Sequence, residues 1–191
     1  MKPAPFEYFA PTSVEETCGL LARYGDDAKI LAGGQSLVPL LALRLAQPAV
    51  LIDINPVREL DYIQANDAGL SVGARTRHRA LERSSVVRKQ FPLLSAGVEW
   101  VGHPQIRNRG TVGGSLVHAD PAAELPALAL ALDATFTVVD SRGSRRTLAS
   151  DEFFVSFLTT ALNTDELLCE VSFPALPAGT GWSFMEVARR H

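Results

Sequence analysis

Cysteine is scarce. The chain has 191 residues and two cysteines, Cys18 and Cys169, far apart in sequence. Two thiols exclude a four-thiolate iron–sulfur site within this chain and argue against a disulfide framework. Both are expected as small buried hydrophobes. Long apolar runs are missing too. The greasiest stretch, Leu125 to Leu132, is bracketed by Glu124 and Asp133 and is too short to cross a bilayer. The opening MKPAPFEYFAPTS has no apolar core of the signal-peptide kind, so a cytoplasmic protein without an integral membrane segment is expected. No charge of one sign dominates: the formal net charge is −3 with both signs interspersed. A basic field for nucleic acid is therefore absent. No catalytic triad, metal-ligand cluster or His–Glu pair at zinc spacing stands out, so no residue is nominated as a catalyst or a metal ligand.

What is present suits a globular fold. The apolar fraction is 47%, enough for a real interior, and twelve prolines with fourteen glycines imply many turns. Ser13-Val-Glu-Glu16 reads as a capping box opening a helix that stops near Gly25, with Val14, Cys18 and Leu21 on one face. Ala28 to Ala32 is a short strand, broken by Gly33-Gly34. Ser36 or a neighbour can cap a second helix through Leu37, Leu40, Leu41 and Leu43, with Pro39 in its first turn. Val50 to Ile54 is a further buried strand, which makes a β-α-β unit with parallel strands. Asn55-Pro56 marks a turn and a boundary between an N-terminal α/β lobe (1–56) and a second α+β lobe (57–191). A hairpin follows, turning at Asn66 to Gly69. Arg77 to Trp100 predicts two or three helices interrupted at Pro92. A glycine-rich loop is expected from Gly102 to Pro121, then a helix from Glu124 to Leu132. Strands are expected at Thr135 to Val139, Arg146 to Leu148 and Glu166 to Phe173, with another beginning at Phe184 to Val187. The chain stops at His191 just after that strand begins, as a fragment of a longer subunit would.

Two motifs carry chemistry. The first, Leu31-Ala32-Gly33-Gly34-Gln35-Ser36-Leu37, sits on a strand-to-helix turn. Its glycines allow close backbone approach and positive φ, and Gln35 and Ser36 add side-chain donors. The helix start adds unsatisfied N–H groups and about half a positive charge, a combination suited to a phosphate or pyrophosphate. It is neither a Walker A loop nor a Rossmann fingerprint, and by itself a plain tight turn explains it equally well. The second runs from Arg109 to Glu124 and holds Thr111, Val112, Gly113, Gly114 and Ser115. Asp120 and Glu124 flank the next helix start, where a carboxylate can cap the helix or accept from ribose hydroxyls. Two such loops suggest a diphosphate gripped from both sides, and hence a dinucleotide.

AGGQSLVPLLALR and IRNRGTVGGSLVHADPAAELP resemble the two FAD motifs in the flavin (medium) subunits of molybdenum hydroxylases. These include aerobic carbon monoxide dehydrogenase, bacterial xanthine dehydrogenase and hydroxylases of N-heterocycles. The resemblance runs over essentially the whole chain. It takes in FEYFAPTSVEE, VLIDI with VREL after it, VGARTRH, DELLCEVSFP and the final ARRH.

The resemblance implies a two-lobed α+β FAD-binding fold of the vanillyl-alcohol-oxidase-like type, with the family's C-terminal domain absent. It implies non-covalent FAD, with Leu31 to Leu37 and Thr111 to Ser115 around the pyrophosphate. Glu124 falls at the family's acidic residue that contacts the nucleotide, with Asp120 as a second candidate. Leu168 matches an apolar residue near the flavin, and Val101 is similarly placed. His118 reads as a hydrogen-bonding wall residue and His103 as a turn residue before Pro104. His78 reads as a surface-helix residue among solvated arginines. The resemblance also implies partners: a large subunit holding the molybdopterin cofactor and a small subunit holding [2Fe–2S] clusters. This chain would carry electrons from the clusters to an acceptor. A nucleotide-binding assembly or regulatory module without redox turnover, and a stand-alone flavin oxidase, are the competing readings.

Overall fold

The computed structural model describes residues 2–187. The final ARRH match, at 188–191, lies outside the described residues.

The N-terminal part builds a three-stranded parallel sheet. Strand β1 (Glu7–Phe9) leads into α1 (Val14–Tyr24), then β2 (Ala28–Leu31), α2 (Leu37–Ala42) and β3 (Val50–Asp53), with sheet order β1-β3-β2. The expected β-α-β unit is present: Ala28 to Leu31 pair in parallel with Val50 to Asp53. Local chemistry explains α1. The Ser13 hydroxyl accepts from Glu16 N at 3.1 Å, and the Glu16 carboxylate reaches back to Thr12 N at 2.9 Å, one residue beyond a strict capping box. Gly25 closes the helix at φ 51°. Thr17, Cys18 and Leu21 form its buried face.

The second part is a five-stranded antiparallel sheet in the order β4-β5-β10-β6-β7. It comprises β4 (Ile63–Asn66), β5 (Gly69–Gly73), β6 (Thr135–Val139), β7 (Arg145–Ala149) and β10 (Leu167–Pro174). Between β5 and β6 the chain forms α3 (His78–Arg83), α4 (Ser85–Gln90), α5 (Pro92–Val98), α6 (Pro104–Arg109), α7 (Val112–His118) and α8 (Glu124–Ala131). Pro92 opens α5 as its first residue, where the missing N–H costs nothing. After β7 come α9 (Ser150–Phe153) and a small hairpin of β8 (Phe154–Ser156) and β9 (Thr159–Thr160).

Several expectations change. The segment from Gly102 to Pro121 is not a loop; it holds α6 and α7. Phe184 to Val187 starts no strand, because residues 181–187 have no regular structure. Phe184 instead packs against the main core, with its ring 6.2 Å from that of Trp100. The strand β1, α9 and the β8–β9 hairpin were not anticipated.

The main core lies between the antiparallel sheet and its helices. Val72, Leu81, Leu94, Leu116, Phe136 and Phe153 are completely covered there, and the Phe136 and Phe153 rings stack with centroids 4.0 Å apart. A second core joins α1 and the parallel sheet to Val139, Leu167 and Cys169 at the near end of the large sheet. Both cysteines are buried in it. Burial pushes the Cys18 thiol up to about 11 and the Cys169 thiol up to about 12, so both stay protonated. Among the described residues, no helix is long and apolar enough to cross a membrane.

Candidate functional site

The first glycine motif leaves the C-terminal end of β2. Leu31 ends the strand opposite Asp53. Ala32, Gly33 and Gly34 are half-buried, Gln35 and Ser36 are exposed, and Leu37 opens α2. Gly34 takes φ +73°, a conformation L side chains rarely adopt, and Gln35 Nε2 donates to Gly33 O at 3.1 Å across the turn. Ser36 does not cap α2 as expected: its backbone is already helical and its hydroxyl makes no capping bond. Among the described residues, no acceptor is found for the backbone N–H groups of Gly33, Gly34, Gln35 and Ser36. This turn keeps backbone donors free of protein acceptors.

The second motif has the opposite character. Thr111 is the N-cap of α7, buried, and its hydroxyl accepts from Gly114 N at 3.1 Å. Val112 N donates to Thr76 O at 2.9 Å, Gly113 N to Ala74 O at 2.8 Å and Ser115 N to Thr111 O at 3.0 Å. The donors of this helix start are spent inside the protein. Val112 is wholly buried, and a Cβ on Gly113 would lie 2.6 Å from Ala74 Cβ, so that glycine serves packing against the end of β5. Gly114 is exposed and Ser115 half-buried.

The fold brings the two motifs into contact. A Cβ on Gly33 would lie 2.5 Å from Arg109 O and 2.7 Å from Gly110 Cα, so the two backbones pack directly on each other. A Cβ on Gly114 would approach Ala32 Cβ to 3.9 Å.

His78 and its neighbouring arginines correct the sequence reading. His78 is 4% exposed, not a surface residue. Its Nε2 lies 2.9 Å from Thr111 O, so the neutral tautomer donates there, and its backbone N donates to Gly110 O at 3.1 Å. Burial pushes its pKa down to about 4; the Thr111 carbonyl opposes this, and the Arg107 and Arg77 charges add to it. Arg77 is half-buried and donates to Arg109 O and to Asn55 Oδ1. The legible signal was periodicity: His78 and Leu81 are one turn apart, and both are buried. The sequence marks Asn55 only as a turn residue. It follows the middle strand of the parallel sheet, at the strand end where ligand sites of such sheets gather.

The remaining candidates sit around α7 and α8. His118 ends α7 and is half-buried; His103 is exposed and precedes Pro104 at the start of α6. Asp120 Oδ1 accepts from Ala122 N at 2.9 Å and shapes the turn into α8. Glu124 is the first residue of α8, half-buried. Burial raises its pKa, helped by the nearby Glu186 and Asp120 carboxylates. Val101 and Leu168 are 8% and 3% exposed, so neither side chain opens to the surface. Leu168 lies in the main core, at an irregularity in the pairing of β10 with β6.

Comparison with known proteins gives a consistent picture. A family model described as the FAD binding domain in molybdopterin dehydrogenase matches residues 4–176. The chain is 49% identical, over all 191 residues, to the 6-hydroxypseudooxynicotine dehydrogenase complex subunit alpha of Paenarthrobacter nicotinovorans, and covers 64% of that protein. Among solved structures it is similar to carbon monoxide dehydrogenase from Hydrogenophaga pseudoflava, with TM-score 0.96 and 43% identity, covering 100% of this chain and 66% of that one. It is also similar to quinoline 2-oxidoreductase from Pseudomonas putida 86, with TM-score 0.93 and 43% identity, covering 100% of this chain and 65% of that one. The chain thus spans a little under two thirds of the length of these relatives.

Proposed function

This chain belongs to the family of FAD-binding domains of molybdopterin dehydrogenases, and on that footing we propose that it is the flavin-holding part of a multi-subunit molybdenum hydroxylase. A small partner subunit with [2Fe–2S] clusters would deliver electrons, and a large partner subunit with the molybdopterin cofactor would oxidise the substrate. This chain would pass the electrons to an acceptor.

The observation that carries the reading is the packing of Gly33 on Arg109 and Gly110. It sets the unpartnered N–H groups of the first turn beside the exposed Gly114 of the second. A pyrophosphate is rich in acceptors and needs such donors. The residues present fit FAD. Gly33, Gly34, Gln35 and Ser36 would bind phosphate oxygens, with Ser115 contributing its hydroxyl. Leu31, Ala32, Leu37, Thr111, Val112 and Gly113 hold the two turns in shape. Glu124 and Asp120 would accept from hydroxyl groups of the ligand, and His118 would line the wall. Val101 and Leu168 would serve as apolar backing, because both are covered. Bound FAD supplies one- and two-electron redox chemistry. The protein's own residues bind it, orient it and shield it from water.

The test is to purify the chain, denature it and chromatograph the released flavin. FAD in the supernatant is the expected result. FMN, or flavin that stays with the precipitate, would overturn the non-covalent FAD reading. The chain reconstituted with FAD is then offered N-heterocycles, aldehydes and carbon monoxide with a dye acceptor. No turnover is expected; turnover proportional to flavin content would establish a stand-alone oxidase instead. Bound flavin that dithionite cannot reduce would favour the module without redox turnover.

A further inference from the structure

We infer that Asn55 and Arg77 act together as one clamp that ties the two glycine turns to each other and aims the Gly33 N–H toward the ligand. The inference rests on the FAD reading above. The bonds form a continuous chain. Asn55 Nδ2 donates to Ala32 O at 2.9 Å, and Asn55 Oδ1 accepts from Arg77 Nη2 at 2.5 Å. Arg77 Nη1 donates to Arg109 O. One carbonyl in each turn is thus joined through two side chains.

The residue types suit the task. The middle member must donate on one side and accept on the other, which an amide does and a carboxylate cannot. Asn55 Nδ2 also donates to Asp53 Oδ1 at 2.5 Å, which fixes the amide with its oxygen toward Arg77. Arg75 Nη1 holds Asn55 O at 2.8 Å, and Asn55 N donates to Asp53 Oδ1 at 2.9 Å, so the amide is anchored to the end of β3. Arg77 presents a planar fork that reaches two acceptors at once, which a lysine ammonium on a flexible stem does less well.

The consequence for the ligand follows from peptide geometry. Ala32 C=O and Gly33 N–H belong to one trans peptide plane and point in opposite directions. Drawing the carbonyl toward Asn55 turns the N–H away from it, and that N–H has no acceptor among the described residues. Asn55 and Arg77 are positioning residues for a phosphate donor.

The test uses the full chain with Arg77→Lys, Asn55→Ala and the double variant, titrated with FAD and with riboflavin, which lacks the pyrophosphate. Each single variant should weaken FAD binding about tenfold, the size of one charge-assisted hydrogen bond, and leave riboflavin binding unchanged. The double variant should bind FAD no worse than the weaker single, because a link once cut cannot be cut again. Independent losses that multiply in the double variant overturn the clamp. So do equal losses for FAD and riboflavin, which indicate general loosening, and FAD binding within twofold of wild type. If Asn55→Ala does not fold, Arg77→Lys and Arg77→Gln decide by the same FAD-to-riboflavin comparison. A wild-type chain that binds no FAD refutes the underlying reading instead, a result distinct from every outcome above.

Discussion

Replacing Gly33 by alanine adds one methyl group at the place where the two turns touch. In the native backbone that methyl would sit 2.5 Å from Arg109 O and 2.7 Å from Gly110 Cα. Ordinary contact begins at 3.4 Å, so backbone on one side or the other has to move. Neither side is free to do so. Arg109 O is held by Arg77, and Ala32 O is held by Asn55. Overpacking of this kind costs about 1–3 kcal/mol. For a chain of this size that is a fall in melting temperature of roughly 2–4 °C per kcal/mol. Because the displaced atoms also set the spacing of the turns, FAD affinity should fall with stability, by about ten- to a hundredfold. Gly114→Ala is the control. Its only contact closer than 3.9 Å is Thr111 Oγ1 at 2.7 Å, so it disturbs a cap bond worth about 1 kcal/mol and otherwise projects outward. Its effect on FAD affinity should exceed its effect on stability. Differential scanning fluorimetry of the apo chain and FAD titration measure both quantities. A Gly33→Ala protein with wild-type melting temperature and wild-type affinity would refute the contact argument.

Three further outcomes are expected. The pKa of His78 is about 4 in the fold against an ordinary 6.5, so between those values only the unfolded chain takes up the proton. Its contribution is therefore lost as pH falls through that window. Urea titrations should show wild type losing roughly 2–3 kcal/mol more between pH 7 and 4.5 than His78→Gln, and equal losses would exclude a buried neutral imidazole. Arg107 is buried, pairs with Glu82 at 3.0 Å, and donates to the carbonyls of Glu99, Val101 and Gly102. Arg107→Ala should cost about 3–5 kcal/mol in urea unfolding, and a loss under 1 kcal/mol would show that these partners find water instead. Glu124→Gln removes a half-buried carboxylate whose pKa is raised by burial and by the neighbouring Glu186 and Asp120. The variant should melt higher at pH 7 without ligand and bind FAD about tenfold more weakly, by calorimetry and titration. A lower melting point with unchanged affinity would remove Glu124 from the site.

What could be read from the sequence was local. Ser13 with Glu16, the turn from Asn66 to Gly69 and Pro92 each act within a few residues, and each marks an element boundary in the structure. Helix α7 escaped notice because TVGGSLVH carries two glycines, each unfavourable in a helix by about 1 kcal/mol. It forms because Thr76 and Ala74 accept its first N–H groups and because Val112 and Leu116 are fully buried. β1 is too short to show periodicity; it exists by pairing in parallel with β3, with Tyr8 bonded to Asp53. The expected strand at Phe184 to Val187 had the right residue types, but Phe184 is taken by the core and by the ring of Trp100. Asn55, Arg77 and His78 were out of reach for another reason. Their partners in the glycine turns lie 23 to 33 residues away, and no local rule spans that distance.

The two glycine motifs look alike as strings and differ as structures. In the first, Gly34 supplies a positive φ and Gly33 lets the other turn approach. In the second, Gly113 lets α7 seat against Ala74, and Gly114 lies on the open side. The difference lies in where the N–H groups go: to no acceptor among the described residues in the first turn, inward to Thr76, Ala74 and Thr111 in the second. A ligand phosphate at this junction would be hydrogen-bonded by the first turn and the Ser115 hydroxyl, and shaped by the backbone of the second. Substitutions in the two motifs should then fail in different ways. A change in the first turn removes or misdirects a donor, so it weakens any ligand that carries a phosphate. A change in the second alters a rigid wall whose own hydrogen bonds are already made. Apart from Ser115, whose hydroxyl faces the ligand in this reading, its effect should therefore grow with the volume added and depend little on the polarity of the new side chain.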